Sequence, residues 1–174
     1  WLDLLTPFLA HHRVSNHQQK LETLLKDFPE LWARSMVVRK LSPFPIEAVT
    51  RGYLSGSAWK SYQKDGTVAE FKLAAGLQES TRLDPPLFTP STKAKEGHDE
   101  SIDFSTTVQL IGQKHADEVR RTSLAIYSFA ETLVRKVGMV LADTKFEFGQ
   151  DATGRVWLID EILTPDSSRY WPLE

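Results

Sequence analysis

The stretch MVLADTKFEFGQDATGRVWLIDEILTPDSSR, residues 139–169, decides the fold. Its first part alternates in polarity, as a strand with one buried face does. The two faces carry Ala142, Thr144, Phe146 and Phe148 on one side and Asp143, Lys145 and Glu147 on the other. The turn GQDATG follows, and residues 155–163 form the returning strand of a β-hairpin. The segment therefore predicts an antiparallel sheet with one apolar and one charged face.

The register of this hairpin decides where Asp160 lies. With a four-residue loop over 150–153, Gly149 pairs with Gly154 and Asp143 pairs with Asp160. A shift by two residues keeps Asp160 on the charged face, whereas a shift by one moves it to the other face. We expect the first parity, which places three carboxylates and one ammonium together.

Two interpretations of the charged face stay open on the pattern alone. A solvated strand face with a lysine that offsets the acids is common in antiparallel sheets. The alternative is a site for Mg²⁺, which prefers one or two carboxylates together with phosphates and water. Lys145 would then contact a phosphate or carboxylate oxygen as a point charge.

Two further segments have the composition of anion sites. RGYLSGS, residues 51–57, places Arg51 at the end of a strand and Ser57 at the start of a helix. Helix N–H groups, a hydroxyl and a guanidinium together bind anions well. TPDSSR, residues 164–169, offers Ser168 and Arg169 just after the hairpin. An ordinary strand-to-helix turn would explain the first segment and a capped turn the second, so each segment alone is weak evidence for an anion site.

The rest of the chain predicts a mixed α+β domain. We expect helices over 21–32 (interrupted at Pro29), 55–63 and 117–137, strands over 35–41 and 46–54, and an irregular loop over 76–97. That loop carries Lys93 and leads to His98 and Asp99, whose spacing matches no zinc motif.

Composition excludes several classes of protein. The 174 residues carry 21 basic and 23 acidic side chains, which argues against a nucleic-acid binder that works by bulk charge. Cysteine is absent, so disulfides, cysteine zinc sites and thiol nucleophiles are excluded. No apolar run approaches the roughly 18–20 residues that span a bilayer, and no leader segment is visible. We expect a soluble cytoplasmic protein that binds neither nucleic acid nor membrane.

Several motifs in one order resemble the SAICAR synthetase (phosphoribosylaminoimidazole-succinocarboxamide synthase) family. They are FPIEAVTRGYLSGS (44–57), PPLFTPSTKA (85–94), GHDESI (97–102), LADTKFEFG (141–149) and IDEILTPDSSRYW (159–171). Thr50, Ser55 and Ser101 depart from the residues usual in that family. The resemblance implies a two-lobed ATP-binding α+β fold with an antiparallel sheet flanked by helices.

The resemblance also implies that the chain is the central piece of the family's enzyme. Residues 1–43 would be the remainder of an incomplete N-terminal ATP-binding lobe and the link between lobes. Residues 44–174 would form the substrate- and metal-binding lobe, without its C-terminal part. The family's glycine-containing segment over the ATP phosphates has no counterpart in these residues.

The activity implied by the resemblance is an ATP-dependent ligation in de novo purine biosynthesis. It joins L-aspartate to carboxyaminoimidazole ribotide and yields SAICAR, ADP and phosphate through an acyl phosphate, with Mg²⁺ as cofactor. The alternative is an inactive remnant that keeps the fold and a phosphate site but does not turn over by itself.

The resemblance assigns roles residue by residue. The reacting groups would be Asp143 and Lys145, and the magnesium ligands Glu147 and Asp160. The adenine side would be Arg39, Lys40 and Ser42, and the substrate contacts Glu47, Arg51, Ser57, Lys93, His98, Asp99, Ser168 and Arg169. Among these, Arg51, Ser57 and Arg169 would bind the 5′-phosphate of the ribotide.

Overall fold

The computed structural model describes residues 1–93 and 100–173. The helices are α1 (Leu2–Leu5), α2 (His17–Leu24), a 3₁₀ helix (Pro29–Arg34), α3 (Gly56–Asp65), α4 (Phe104–Ile111) and α5 (Gln113–Arg135). The strands are β1 (Ser42–Pro43), β2 (Ile46–Tyr53), β3 (Thr67–Val68), β4 (Phe71–Lys72), β5 (Arg82–Phe88), β6 (Ser91–Thr92), β7 (Met139–Gln150), β8 (Val156–Ile159) and β9 (Ser168–Pro172). In the described part of the chain, no helix combines the length and the apolarity that crossing a membrane requires.

Strand β7 is the centre of the main sheet. It pairs with β2 and β1 on one side and with β9 and β8 on the other, and every one of these pairs is antiparallel. Strands β5 and β6 add to β2, while β3 and β4 form a separate two-stranded sheet. The predicted α+β class with an antiparallel sheet is therefore confirmed.

Helix α5 covers the apolar face of β7. Phe146 and Phe148 are buried there together with Ile126 and Ala130 of the helix. The Tyr127 hydroxyl donates a hydrogen bond of 2.6 Å to the carbonyl oxygen of Leu141. The predicted faces of β7 and the predicted core role of this helix are both confirmed.

The predicted register of the β7–β8 hairpin is wrong. Gly149 pairs with Trp157 and Glu147 with Ile159, a shift of three residues, which is an odd number and reverses the parity. The loop is five residues long, 151–155, because the Asp151 carboxylate organises it. This carboxylate accepts hydrogen bonds from the Thr153 amide at 2.9 Å, the Thr153 hydroxyl at 2.6 Å, the Arg155 amide at 3.2 Å and the Trp157 indole at 2.9 Å.

Regular alternation in this register would turn Asp160 toward the core face. Instead, β8 ends at Ile159, and Asp160 has a left-handed φ of 60°. Asp160 is exposed. Its escape from the apolar face therefore comes from a backbone turn and not from the predicted pairing.

Three other expectations are corrected. Residues 35–41 form no strand among the described residues, where they pair only with the short segment 12–14, through a single bridge from Val38 to Arg13 and two flanking backbone hydrogen bonds. The helix expected over 21–32 is instead α2 and the 3₁₀ helix that begins at Pro29. The expected loop over 76–97 contains β5, which tolerates Pro85 and Pro86 because it lies at the sheet edge.

Candidate functional site

Asp143 lies between two arginines from neighbouring strands. The pairing of β7 places Arg51 of β2 directly opposite Asp143 on one side and Arg169 of β9 on the other. Arg51 Nη1 donates to Asp143 Oδ2 at 2.8 Å, and Arg169 Nε donates to Oδ1 at 2.8 Å. Arg169 Nη2 also donates to Oδ2. One buried carboxylate thus holds two guanidiniums side by side.

This arrangement leaves an excess positive charge. Burial lowers the pKa of Arg51, the charge of Asp143 opposes that effect, and the nearby Arg169 adds to it. The hydrogen bonds to Asp143 raise the pKa of Arg169. Two guanidiniums against one carboxylate leave a net charge of about +1 in a partly desolvated site, where an anion is attracted most strongly.

Hydroxyl groups and a helix start complete this anion site. Arg51 Nη2 donates to Ser57 Oγ at 3.0 Å, and Arg51 Nε donates to Thr89 Oγ1 at 3.0 Å. Ser57 lies in the first turn of α3, whose backbone N–H groups favour anions. Gly56 begins this helix with a φ of +57°, and a Cβ on it would lie 2.2 Å from Arg169 Nη1. Glycine therefore lets the Arg169 guanidinium lie against the helix start.

A second cluster of charges lies farther along the same face of β7. Lys145 Nζ donates to Glu47 Oε1 at 3.1 Å, a diagonal contact between β7 and β2, and Lys93 pairs with Glu147. Burial lowers the pKa of Lys145, the hydrogen bond and the charge of Glu47 raise it, and the net shift of this pKa is upward. The charges of Glu147 and Glu161 raise this pKa further. Lys145 is therefore a firmly protonated ammonium.

A cleft of about 260 Å³ joins the two clusters. Its walls include Arg51, Asp143 and Arg169 from the first cluster and Lys145 from the second, with the 165–168 loop on one side. An anionic ligand in this cleft would contact guanidinium groups at one end and an ammonium group at the other.

The carboxylates near Lys145 are of the type that Mg²⁺ binds in proteins. In the part of the chain that the structure describes, no group of three or more His, Cys, Asp or Glu side chains could hold a metal by itself. Mg²⁺ does not need such a group, because it commonly takes one or two carboxylates together with phosphate oxygens and water. Glu147 offers such a carboxylate. Asp160, the second candidate, directly follows Ile159, the residue that pairs with Glu147 in the hairpin.

The family now follows from comparison with known proteins. The sequence profile of the SAICAR synthetase family matches residues 3–174. The chain belongs to the SAICAR synthetase family. The phosphoribosylaminoimidazole-succinocarboxamide synthase of Thermodesulfovibrio yellowstonii is 47% identical over 175 aligned positions, and the match covers 100% of this chain and 60% of that protein. The protein of the same name from Albidiferax ferrireducens is 52% identical over 179 aligned positions, and the match covers 100% of this chain and 58% of that protein.

Solved SAICAR synthases share the fold. The structure of the Saccharomyces cerevisiae SAICAR synthase complexed with SAICAR has a TM-score of 0.87 and 36% identity, and the match covers 99% of this chain and 59% of that one. A SAICAR synthetase in complex with ADP shares the fold at a TM-score of 0.73 and 24% identity, over 98% of this chain and 61% of that one. The chain thus spans about 60% of the length of these relatives.

The structure places the residues expected at the adenine side of a SAICAR synthetase next to the hairpin. Ser42 pairs with Gln150 at the end of β7, and the Arg39 guanidinium lies 5.0 Å from the ring centre of Trp157. Lys40 is exposed between them. These three residues lie together, at the end of β7 that carries Glu147.

Two groups of expected substrate contacts differ from the rest of the site. The Ser168 hydroxyl is buried and hydrogen-bonded to the Thr144 hydroxyl at 2.8 Å, so it fixes β9 to β7. His98 and Asp99 lie outside the described residues. The other expected residues belong to the two clusters or to the adenine side, except Asp160, which follows β8 and whose amide contacts His12.

The sequence reasoning missed Thr89, Glu161 and His12. Thr89 accepts a hydrogen bond from Arg51, and Glu161 contributes to the field at Lys145. The only sequence signal for Glu161 was its place directly after Asp160 in the motif IDEILTPDSSRYW. His12 had no such signal, since it reaches Asp160 from 148 positions away in the chain.

Proposed function

We propose that this chain carries the ribotide and magnesium sites of a SAICAR synthetase. The reaction joins L-aspartate to carboxyaminoimidazole ribotide with cleavage of ATP to ADP and phosphate. The observation that carries this proposal is the pair of clusters on one face of β7, an anion site and an ammonium among carboxylates, in a member of this family.

The reaction needs two steps, because a carboxylate is a poor electrophile. An oxygen of the ribotide carboxylate attacks the γ-phosphorus of ATP, the bond to the bridging oxygen breaks, and ADP leaves. The amine of aspartate then attacks the carbonyl carbon of the acyl phosphate. The C–O bond to phosphate breaks, phosphate leaves, and the nitrogen loses a proton to give the amide.

The first cluster binds the 5′-phosphate of the ribotide in this proposal. Arg51 and Arg169 supply charge-assisted hydrogen bonds, and Ser57 supplies a hydroxyl at the helix start. Asp143 was expected to act on the reacting groups, but its two ion pairs favour a different role. We assign it the positioning of the two guanidiniums.

The second cluster serves phosphoryl transfer. The protonated Lys145 stabilises the negative charge on the transferred group, and Glu47 keeps its ammonium in place. Mg²⁺ held by Glu147 and Asp160 would neutralise charge on the ATP phosphates. Lys93 lies beside Glu147 and would contact the aspartate or the imidazole carboxylate, and the family resemblance assigns the same role to His98 and Asp99.

The remaining assignment concerns the two parts of the chain. Residues 1–43 belong to the ATP-binding lobe and the link, with Arg39, Lys40 and Ser42 at the adenine. Residues 44–174 form the substrate- and metal-binding lobe. The soluble, cytoplasmic setting of purine synthesis agrees with this function.

A chimera tests the activity. Residues 1–174 replace the matching region of the Thermodesulfovibrio yellowstonii relative, which supplies the rest of a complete enzyme. We expect the chimera to release phosphate from ATP only when both aspartate and ribotide are present, and the 174-residue chain alone to turn over little. Phosphate release without aspartate would contradict the ligase and indicate a kinase-like enzyme. Ribotide binding without any turnover by the chimera would favour the inactive remnant.

Two variants of the chimera separate the proposed roles. Arg51→Ala raises the KM for the ribotide by the equivalent of about 2–4 kcal/mol, because a charged contact to phosphate is lost. Lys145→Met lowers kcat, because its charge acts on the transferred phosphoryl group. Lys72→Met, a change at an exposed lysine of β4, is the matched control and leaves both constants unchanged. A uniform loss of folded protein in both site variants would instead indicate purely structural roles.

A further inference from the structure

His12 is buried where three segments of the chain meet. Residues 10–12 run beside β8, where the Leu158 amide donates to the Ala10 carbonyl at 3.0 Å and the His12 amide donates to the Leu158 carbonyl at 2.9 Å. The His12 carbonyl accepts from the Arg39 amide at 2.8 Å. Main-chain hydrogen bonds therefore fix this histidine to the hairpin and to the 39–43 segment.

The imidazole of His12 binds the backbone of Asp160. The Asp160 amide donates a hydrogen bond of 3.1 Å to His12 Nδ1. Because an amide can only donate, Nδ1 carries no proton, and the single ring proton of the neutral imidazole is on Nε2. This hydrogen bond is made by the residue directly after β8, Asp160, which has a left-handed φ of 60° although it is not glycine.

The left-handed turn determines which way Asp160 faces. In the observed register, position 160 would continue opposite Phe146, whose side chain is fully buried in the core. A left-handed conformation costs a residue other than glycine about 1–2 kcal/mol, so neighbouring contacts must stabilise it. The hydrogen bond to His12 is such a contact.

We propose that His12 is a positioning residue that holds the Asp160 turn and so keeps its carboxylate out of the core and at the Glu147 end of β7. The proposal rests on the proposed function, in which Asp160 is a magnesium ligand. Substitution of a residue that orients a metal ligand typically lowers metal affinity 10- to 100-fold.

The test compares two isosteric substitutions in the chimera. His12→Asn keeps an acceptor oxygen close to the position of Nδ1. His12→Leu introduces a side chain of the same shape as asparagine but without a hydrogen-bond acceptor. Mn²⁺ replaces Mg²⁺ as the probe, and its Kd in the presence of ADP is measured by electron paramagnetic resonance. We expect His12→Leu to weaken Mn²⁺ binding about tenfold and His12→Asn to restore most of the affinity.

His11→Leu is the matched control. His11 is buried to a similar extent in the same segment, at 9% exposure against 8% for His12, but its Nε2 contacts the Thr6 hydroxyl and not Asp160. This variant loses a buried imidazole and keeps the Asp160 hydrogen bond, so we expect its Mn²⁺ affinity to stay unchanged. If His11→Leu and His12→Leu weaken Mn²⁺ equally, or His12→Leu does not weaken it, the positioning role is wrong.

A third substitution guards against a folding defect. His12→Gln keeps a polar side chain but moves its acceptor away from the Nδ1 position, so we expect its Mn²⁺ affinity to resemble that of His12→Leu. Asp160→Asn separates this inference from the proposed function. If Asp160→Asn leaves Mn²⁺ affinity unchanged, the proposed metal site is wrong and the role of His12 fails with it. If Asp160→Asn weakens Mn²⁺ binding but the His12 variants leave the Mn²⁺ affinity unchanged, the metal site stands and the positioning role is wrong.

Discussion

At the scale of single residues, Asp143 is the most constrained charge in the site. It is 6% exposed, and it satisfies two guanidiniums from two different strands. A carboxylate in this position couples the placement of Arg51 to that of Arg169. Neutralising it leaves two like charges in partial burial with nothing between them.

Asp143→Asn should therefore destabilise the chain by about 3–5 kcal/mol, the usual result of removing one partner from a buried ion pair. Urea unfolding measures the loss. Asp117→Asn is the control, because Asp117 pairs with Arg120 at the surface, where the loss is about 1 kcal/mol or less. If both variants lost the same free energy of unfolding, Asp143 would contribute no more to stability than a surface carboxylate does.

Gly56→Ala should disturb Arg169 without changing any charge. The new Cβ would occupy the space of the Arg169 guanidinium, so we expect ribotide affinity in the chimera to fall at least tenfold, the equivalent of about 1.4 kcal/mol. Gly76→Ala is the matched control, because Gly76 has a φ of +83° and no atom within 4 Å of its Cβ position. Both variants carry left-handed strain, so a fall in affinity in both would attribute the effect to strain alone. Calorimetric titration with the ribotide provides the comparison.

At the scale of elements, the β7–β8 hairpin depends on one carboxylate in its loop. Hydrogen bonds from the Thr153 hydroxyl, the Trp157 indole and two main-chain amides hold the pKa of Asp151 well below its usual value. A carboxyl with a lowered pKa in the folded state stabilises that state above its unfolded pKa. This stabilisation decreases as the pH falls below about 4.

Asp151→Asn should therefore reduce the dependence of stability on pH between about 4 and 2. The measurement is urea unfolding of the chain at pH 6 and at successive acidic values. Asp84→Asn is the control, since Asp84 is exposed on the edge strand β5. An acid limb that is unchanged in Asp151→Asn would contradict the role of this loop.

The same hairpin shows what the sequence can predict. Alternation over residues 141–149 is a local signal, and it gave the faces of β7 correctly. The register depends on side-chain hydrogen bonds of Asp151, which the count of turn residues does not contain. The direction of the Asp160 side chain depends further on a left-handed backbone turn, which a periodic pattern of polar and apolar residues does not predict.

The site was predicted unevenly for a similar reason. Arg51 and Arg169 stand in motifs that the family resemblance identifies, and the structure brings them together. Asp143 was expected as a reacting group, but its ion pairs with the two arginines were not predicted, because Arg169 lies 26 positions and Arg51 92 positions away from it in the chain. Long-range pairing of this kind fixes contacts that a local reading cannot supply.

At the scale of the whole molecule, β7 organises the sheet. It pairs with four other strands, and α5 covers its apolar face. Opening β7 would expose Phe146 and Phe148 and separate both charged clusters. The amides of this strand should therefore open only with the largest unit of the fold.

Native-state hydrogen exchange tests this expectation. We expect the amides of Thr144, Phe146 and Phe148 to exchange most slowly, at the rate of global unfolding. The separate two-stranded sheet of β3 and β4 should exchange much faster, because it is short and pairs with no other strand among the described residues. Equal rates in β7 and β3 would mean that the sheet does not unfold around β7.

The single face of β7 also fixes a length. Asp143, Lys145 and Glu147 are successive residues on that face, so neighbours are roughly 7 Å apart and the outer two roughly 13 Å apart. The pleat of the strand backbone therefore sets fixed distances between these charged side chains. In the proposed function, a ribotide that lacks its phosphate or carries a spacer would not contact the charged groups at both ends of this face at once.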